Sequence, residues 1–113
     1  YQKSKELVIF VYKMLDLFPE AEKFALCNQM RRAVVSLPSN IAEGTGRVSS
    51  KDQAHFFTIA YGSLMEVLAQ MDVACDLGYI STDEFDDIEQ LIDTEARLLT
   101  GLTTKCKLTN TKH

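Results

Sequence analysis

The segment RRAVVSLPSNIAEGTGR, Arg31–Arg47, together with the residues just before it, decides the fold of this chain. At 100° per residue, one side of a helix collects the apolar residues Leu26, Met30, Ala33, Val34, Leu37 and Ile41. The opposite side is a polar arc of about 80°, formed by Asn28, Arg32, Ser36, Ser39 and Glu43, with Asn40 and Arg47 beside it. The small hydroxyl residues leave room for a second backbone or a ligand. This pattern predicts a helix that packs on two sides.

Pro38 falls inside this helical pattern. A proline there removes one backbone hydrogen bond and costs about 3 kcal/mol or more. Because the apolar side keeps its phase across the proline, we predict a kinked, unbroken helix in which serine or asparagine side chains cover the freed carbonyl groups. The helix is predicted to end near Gly44. Asn40 and Glu43 are predicted to bind the backbone or to pair with an arginine.

Periodicity predicts four helices, over about 4–18, 22–43, 51–77 and 82–106. Ser4 is the predicted N-cap of the first helix, and Ser50 and Ser81 each open a predicted capping box. Gly78 is predicted to end the third helix in a left-handed conformation. No segment alternates with period two, so no strand is predicted. Short connections between long helices predict an all-α, antiparallel up-down four-helix bundle, with residues 1–113 as one domain.

The third predicted helix carries Gly62 and Ser63 at its centre, where a glycine costs roughly 1 kcal/mol relative to alanine. This cost predicts the close approach of another helix. Glu66, one turn further on, is a predicted partner of Arg31 or Arg32. One group of residues is therefore assigned to a structural polar network or a subunit interface: Asn28, Ser36, Ser39, Asn40, Glu43, Gly62, Ser63 and Glu66.

Charge is divided unevenly along the chain, whose net charge is −4. Residues 1–51 carry eight Lys/Arg against five Asp/Glu, whereas residues 52–113 carry four against eleven. The segment Asp83–Glu95 holds seven acids in thirteen residues and is predicted to form a solvated helix face. Such a division indicates a basic face and an acidic face rather than a uniformly basic nucleic-acid binder.

Composition further narrows the function classes. No stretch approaches the roughly 18 apolar residues that a membrane span requires, so no membrane partner is expected. The cysteines Cys27, Cys75 and Cys106 are odd in number and widely spaced, which indicates core residues of a reduced, cytoplasmic protein. No metal-ligand or cofactor motif is present, and we expect neither.

Three functions remain open. In the first, Arg31, Arg32, Arg47 and Lys51 contact phosphates of RNA, either directly or in complex with a nucleic-acid-binding protein. In the second, the acidic fourth helix recruits a basic protein. The third, a small helical ribonuclease, is disfavoured because the arginine–histidine spacing of such nucleases is shorter than the seven residues between Arg47 and His55. The other histidine, His113, lies in the polar tail. We expect no enzymatic activity.

The run Q-x-R-R-A-x-x-S-x-P-x-N-I-A-E-G-x-G-R, Gln29–Arg47, resembles the signature of the four-helix-bundle proteins named after the 23S rRNA intervening sequence. The similarity continues with Phe56, Ala60, Gly62-Ser63, Glu66 and the run LGYI at 77–80, and it covers essentially the whole chain. Val35 departs mildly, since alanine is usual there.

The resemblance implies a bundle that assembles into a ring, typically a homopentamer. Some members of this family are encoded within insertions in 23S ribosomal RNA genes. A related group, the accessory proteins of diversity-generating retroelements, binds a reverse transcriptase and nucleic acid through the ring. In such a ring, the polar side of the second helix is expected to pack on a neighbouring subunit.

Overall fold

The structure, a computed structural model, describes the backbone of residues 1–111 and the side chains of residues 1–108. Within that range it contains four α-helices and no strand: α1 (Gln2–Leu15), α2 (Leu26–Thr45), α3 (Ser50–Asp76) and α4 (Thr82–Thr111). A short 3-10 turn, Glu20–Glu22, precedes α2. The all-α prediction is confirmed. The first two helices are displaced from their predicted bounds: α1 ends at Leu15, before the loop that leads to Pro19, and α2 begins only at Leu26. Helix α4 extends beyond its predicted end at residue 106.

The helices pack in the order of the chain. Helix α2 contacts α1 and α3, α3 contacts α4, and α1 also contacts α4, so the four helices surround one core. Across the seam between α2 and α3, Gln29 faces Gln70 and Ser36 faces Ser63, which makes these two helices antiparallel. The resulting body is elongated, 51 × 24 × 20 Å. It has four long faces, one along each pair of adjacent helices.

The predicted apolar side of α2 is confirmed, since its members from Met30 to Ile41 are all buried. On α3 the helical spacing of apolar residues predicts Tyr61 on the core side. Tyr61 is instead 39% exposed, and the buried side is rotated slightly to include Val67 and Ala74. On α4 the same spacing predicts Leu102 in the core, but Leu102 is 40% exposed. Both errors have one cause: periodicity locates an apolar stripe but not which of its edges a neighbouring helix covers.

Helix ends follow local hydrogen bonding. The Ser81 capping box is confirmed: the Glu84 backbone N–H donates to Ser81 Oγ at 3.0 Å, and the Ser81 N–H donates to Glu84 Oε1 at 2.8 Å. Gly78 has φ +80° and ends α3 as predicted. The prediction for Ser50 is wrong, because Ser49 is the N-cap and accepts from the Asp52 N–H at 3.1 Å. The amide of Gln53 instead donates to the Arg47 carbonyl.

Ser4 and Glu95 form a buried polar contact between α1 and α4. Ser4, predicted as an N-cap, is 0% exposed and donates from Oγ to Glu95 Oε2 at 2.9 Å. Glu95, predicted on a solvated face, is 3% exposed, and its Oε1 has no hydrogen-bond partner. Both predictions are wrong for one reason: these residues occupy core positions of their helices despite their polarity.

The close helix contact predicted at Gly62 occurs at Gly44 instead. A Cβ atom on Gly44 would lie 2.8 Å from Phe57 Cε1, so this glycine permits the close contact between α2 and α3. Gly44 lies in the last turn of α2, which ends at Thr45 and so close to the predicted end. At Gly62 a Cβ atom would meet nothing within 4 Å, so the predicted close approach of another helix is absent from the described chain.

We expect Gly44→Ala to lower the free energy of unfolding by about 1–3 kcal/mol, because Phe57 has to move to admit the methyl group. The matched control is Gly62→Ala, which adds the same methyl group to an open helical site and gains up to about 1 kcal/mol from helix propensity. Urea denaturation at one fixed protein concentration measures both. Equal effects of the two substitutions would show that the contact at Gly44 is not tight.

We expect Ser4→Ala to cost about 1–3 kcal/mol of unfolding free energy, because it removes the hydrogen bond to a buried carboxyl group. In a Glu95→Leu background the same substitution has no such bond to remove and is expected to cost much less. A double-mutant cycle by urea denaturation tests this coupling. The prediction fails if Ser4→Ala costs the same in both backgrounds.

Candidate functional site

Some polar side chains of α2 donate hydrogen bonds to carbonyl groups of the same helix. The helix runs unbroken through Pro38, as predicted. Around the proline, Ser39 Oγ donates to the Val35 carbonyl at 3.3 Å, and Asn40 Nδ2 donates to the Ser36 carbonyl at 2.8 Å. The carbonyl group that loses its helical donor at Pro38 is that of Val34, four residues earlier. Neither side chain bonds to it, so the prediction that they cover the freed carbonyl is wrong.

The polar side of α2 also contacts helix α3 of the same chain. The hydroxyl groups of Ser36 and Ser63 hydrogen-bond to each other at 2.6 Å, and Ser36 Oγ also lies 2.8 Å from the Ala33 carbonyl. Further along the same seam, Gln70 Nε2 donates to Gln29 Oε1 at 3.2 Å. The small serines therefore let α2 and α3 approach each other within one subunit, and this polar seam needs no neighbouring subunit to explain it.

Glu66 has a different partner from the one predicted. Its Oε1 accepts from Gln70 Nε2 at 3.4 Å, and among the described side chains it forms no ion pair with Arg31 or Arg32. The predicted Arg–Glu pair is wrong. Two exposed side chains on adjacent helices gain little from pairing in water, so proximity in the fold alone does not bring them together.

The two adjacent arginines of α2 point to different helices. The Arg31 guanidinium lies 5.9 Å from the centre of the Tyr12 ring on α1, and its Nη1 donates to Asn28 Oδ1 at 3.4 Å. Arg32 is exposed on the α3 side. Successive residues of a helix are separated by 100°, so this divergence follows from the helix itself. The pair cannot act as one double charge.

The third arginine is held at the C-terminal end of α2. Arg47 pairs with the Glu43 carboxylate one turn earlier, and its guanidinium lies 4.7 Å from the centre of the Phe56 ring. Lys51 is exposed in the first turn of α3. Arg47 lies about 22 Å along the helix axis from Arg32. The four predicted phosphate-binding cations therefore do not form one continuous patch in a single chain.

A shallow groove of about 470 Å³ lies between α2 and α3. Small side chains, Ala33, Ser36 and Ser63, line it together with the longer Gln29, Arg32 and Glu66. Gly62 is exposed next to Ser63. We call this surface, with Arg47 and Lys51 at one end, the α2–α3 face. It presents hydrogen-bonding groups and one unpaired guanidinium at a depth that an extended ligand can reach.

Within residues 1–108, the side chains of His55, Cys27 and Cys75 form no hydrogen bond that would activate them as a base or a nucleophile. His55 is exposed, with its ring edge-on to Phe56 at 5.4 Å between centres. Burial raises the pKa of the Cys27 thiol, and burial followed by nearby carboxylates such as Asp72 raises the pKa of the Cys75 thiol. Both thiols therefore stay protonated at neutral pH and are poor nucleophiles.

Over the same described side chains, no three His, Cys, Asp or Glu residues are grouped so that they could hold a metal ion. No helix of the part described is both long and apolar enough to span a bilayer. His113, the second histidine weighed for catalysis, lies outside the described residues.

Comparison with known proteins agrees with the fold and with the motif. A crystal structure from Bacteroides thetaiotaomicron, of a protein of unknown function from the S23 ribosomal protein family, superposes with a TM-score of 0.83. The two sequences are 20% identical, and the match covers 90% of this chain and 95% of that one. No protein of curated function matches significantly. The model of the 23S rRNA-intervening sequence protein family matches residues 1–101, and the chain therefore belongs to that family.

Proposed function

We propose that this protein is a non-enzymatic assembly module that forms a closed ring of identical subunits, a homopentamer, and binds RNA or a nucleic-acid-handling protein through the cations of its α2–α3 face. The proposal rests on the exposure and the ion pairing of Arg32 and Lys51. Both are exposed, and neither forms an ion pair within residues 1–108. Their charges are therefore available to phosphate groups.

The ring supplies what one chain lacks. A single α2–α3 face offers two unpaired cations and a paired Arg47, which is too little charge for tight binding to a polyanion. A closed ring repeats this set around its circumference, and a polymer bound at one subunit meets the next at a high effective concentration. The family name, which refers to 23S rRNA, supports RNA as the ligand.

A second candidate function follows from α4. Asp83, Asp86, Asp87 and Glu89 are exposed, and none of them forms an ion pair in the described part of the chain. In this alternative the ring recruits a basic protein through its acidic surface. The two functions use different faces, so substitutions on one face separate them.

The assembly is tested first. Light scattering of the purified protein is expected to give a mass of about five times the 12.7 kDa of one chain, stable on dilution through the micromolar range. A mass equal to that of one chain over the same range contradicts the proposed ring.

RNA binding is tested with a fluorescently labelled single-stranded RNA, by anisotropy over a salt series. We expect affinity to fall steeply as salt rises. Arg32→Ala combined with Lys51→Ala is expected to weaken binding and to lower the salt slope by about one for each phosphate that is no longer neutralised.

The matched control for RNA binding is Arg97→Ala, which removes an exposed arginine of α4 that pairs with Asp93. Equal weakening by the control and the double variant, with the ring intact, refutes the α2–α3 face as the RNA site. If instead charge reversal on α4 abolishes capture of a basic protein, the second candidate function is favoured.

A further inference from the structure

Two opposite long faces of the bundle carry grooves that a single chain leaves open. Between α1 and α2, a groove of about 290 Å³ is lined by Tyr1, Lys5, Ile9, Val35 and Pro38 among others. Between α3 and α4, a groove of about 470 Å³ is lined by Tyr61, Met65, Leu68, Glu89 and Asp93 among others. Because α1 packs on α2 and α4, and α3 packs on α2 and α4, these two grooves lie on opposite sides of the core. We call them the α1–α2 groove and the α3–α4 groove.

Both grooves expose apolar side chains to water. Ile9 is 54% exposed and Val35 is 40% exposed on the first side, and Tyr61 is 39% exposed on the other. Single exposed apolar residues are ordinary, but apolar groups that line a groove with charges beside them are typical of a binding surface. Burial against a partner would gain about 25 cal/mol for each Å² of apolar surface removed from water.

The charges beside the two grooves are of opposite sign. Beside the first, the Lys5 amine lies 5.7 Å from the centre of the Tyr1 ring, and Arg31 lies over Tyr12. Within the described residues neither cation has a carboxylate within ion-pairing distance. Beside the second, Glu89 is exposed and has no ion pair over the same range. The two surfaces therefore complement each other in charge as well as in apolar character.

From this complementarity, and resting on the proposed ring, we infer that the partner of the α1–α2 groove is the α3–α4 groove of a second copy of this chain. Lys5 lies against Glu89 of the next subunit, and the apolar residues of the two grooves pack together. Such a contact is heterologous, since different surfaces of each subunit meet. It leaves both grooves of every chain filled only when the assembly closes into a ring.

This arrangement determines where the other two long faces of each subunit lie in the proposed ring. With the two grooves used between neighbours, the α2–α3 face and the opposite α4–α1 face form the two walls of the ring. Arg32, Arg47 and Lys51 then recur on one wall, which is the repetition that the proposed RNA contact requires. The polar seam between α2 and α3 stays internal to each subunit.

The test is a charge exchange measured by light scattering and analytical ultracentrifugation at low salt. Lys5→Glu alone and Glu89→Lys alone each place like charges opposite each other and are expected to shift the protein from the assembled mass toward 12.7 kDa. The double variant Lys5→Glu/Glu89→Lys restores opposite charges and is expected to regain the assembled mass. Because the two positions lie on opposite sides of one chain, this rescue acts between chains.

The matched controls are Lys3→Glu and Asp87→Lys, each two residues away on the same helix, exposed and outside the lining of the two grooves. Both are expected to leave the mass unchanged. Circular dichroism confirms that every variant is helical, and a restored assembly by the double variant shows independently that it folds. A wild-type protein that assembles but is indifferent to both single reversals overturns this inference and leaves the proposed ring standing. A wild-type monomer overturns both.

Discussion

The contact between α2 and α3 sets the position of every other surface of the molecule. At one end Gly44 lies against Phe57 with no room for a side chain, and near the centre Ser36 meets Ser63 through hydroxyl groups. These two contacts fix both the separation and the rotation of α2. Once the rotation is fixed, the helical spacing of 100° directs Arg31 toward α1 and Arg32 toward α3, and it sets Val35 in the groove beside α1.

Pro38 lies in the centre of α2 without ending the helix. Side chains of Ser39 and Asn40 donate to carbonyl groups of the preceding turn, and the helix keeps its direction of burial on both sides of the proline. Ser36 serves both the helix and its contact with α3, since its hydroxyl group lies 2.8 Å from the Ala33 carbonyl and 2.6 Å from the Ser63 hydroxyl. A longer side chain at Ser36 would fill the seam, so the small size of this residue permits the close packing.

The fold follows largely from the sequence, because the 3.6-residue spacing of apolar positions determines which residues enter the core. Prediction failed where a residue type opposed its position. Glu95 lies at the core spacing between Ile92 and Leu99, and that spacing was the available signal, but its charge indicated solvent. The sequence does not indicate which of Gly44 and Gly62 lies at a close helix contact, since that depends on the tertiary neighbours of each glycine. The site is harder still to predict. Whether Arg32 and Glu66 form an ion pair depends on where their side chains reach, which residue spacing does not encode, and the predicted pair is absent from the described side chains.

The uneven division of charge along the chain has a consequence for assembly geometry. Residues of the first half supply the α1–α2 groove, and residues of the second half supply the α3–α4 groove. Two copies that meet through the same groove bring like charges together, Lys5 and Arg31 in one case and Glu89 in the other, and such contacts are disfavoured. Only the mixed contact joins opposite charges. In the proposed assembly, charge therefore disfavours a two-fold dimer, and the angle between the two grooves would determine how many subunits close the proposed ring.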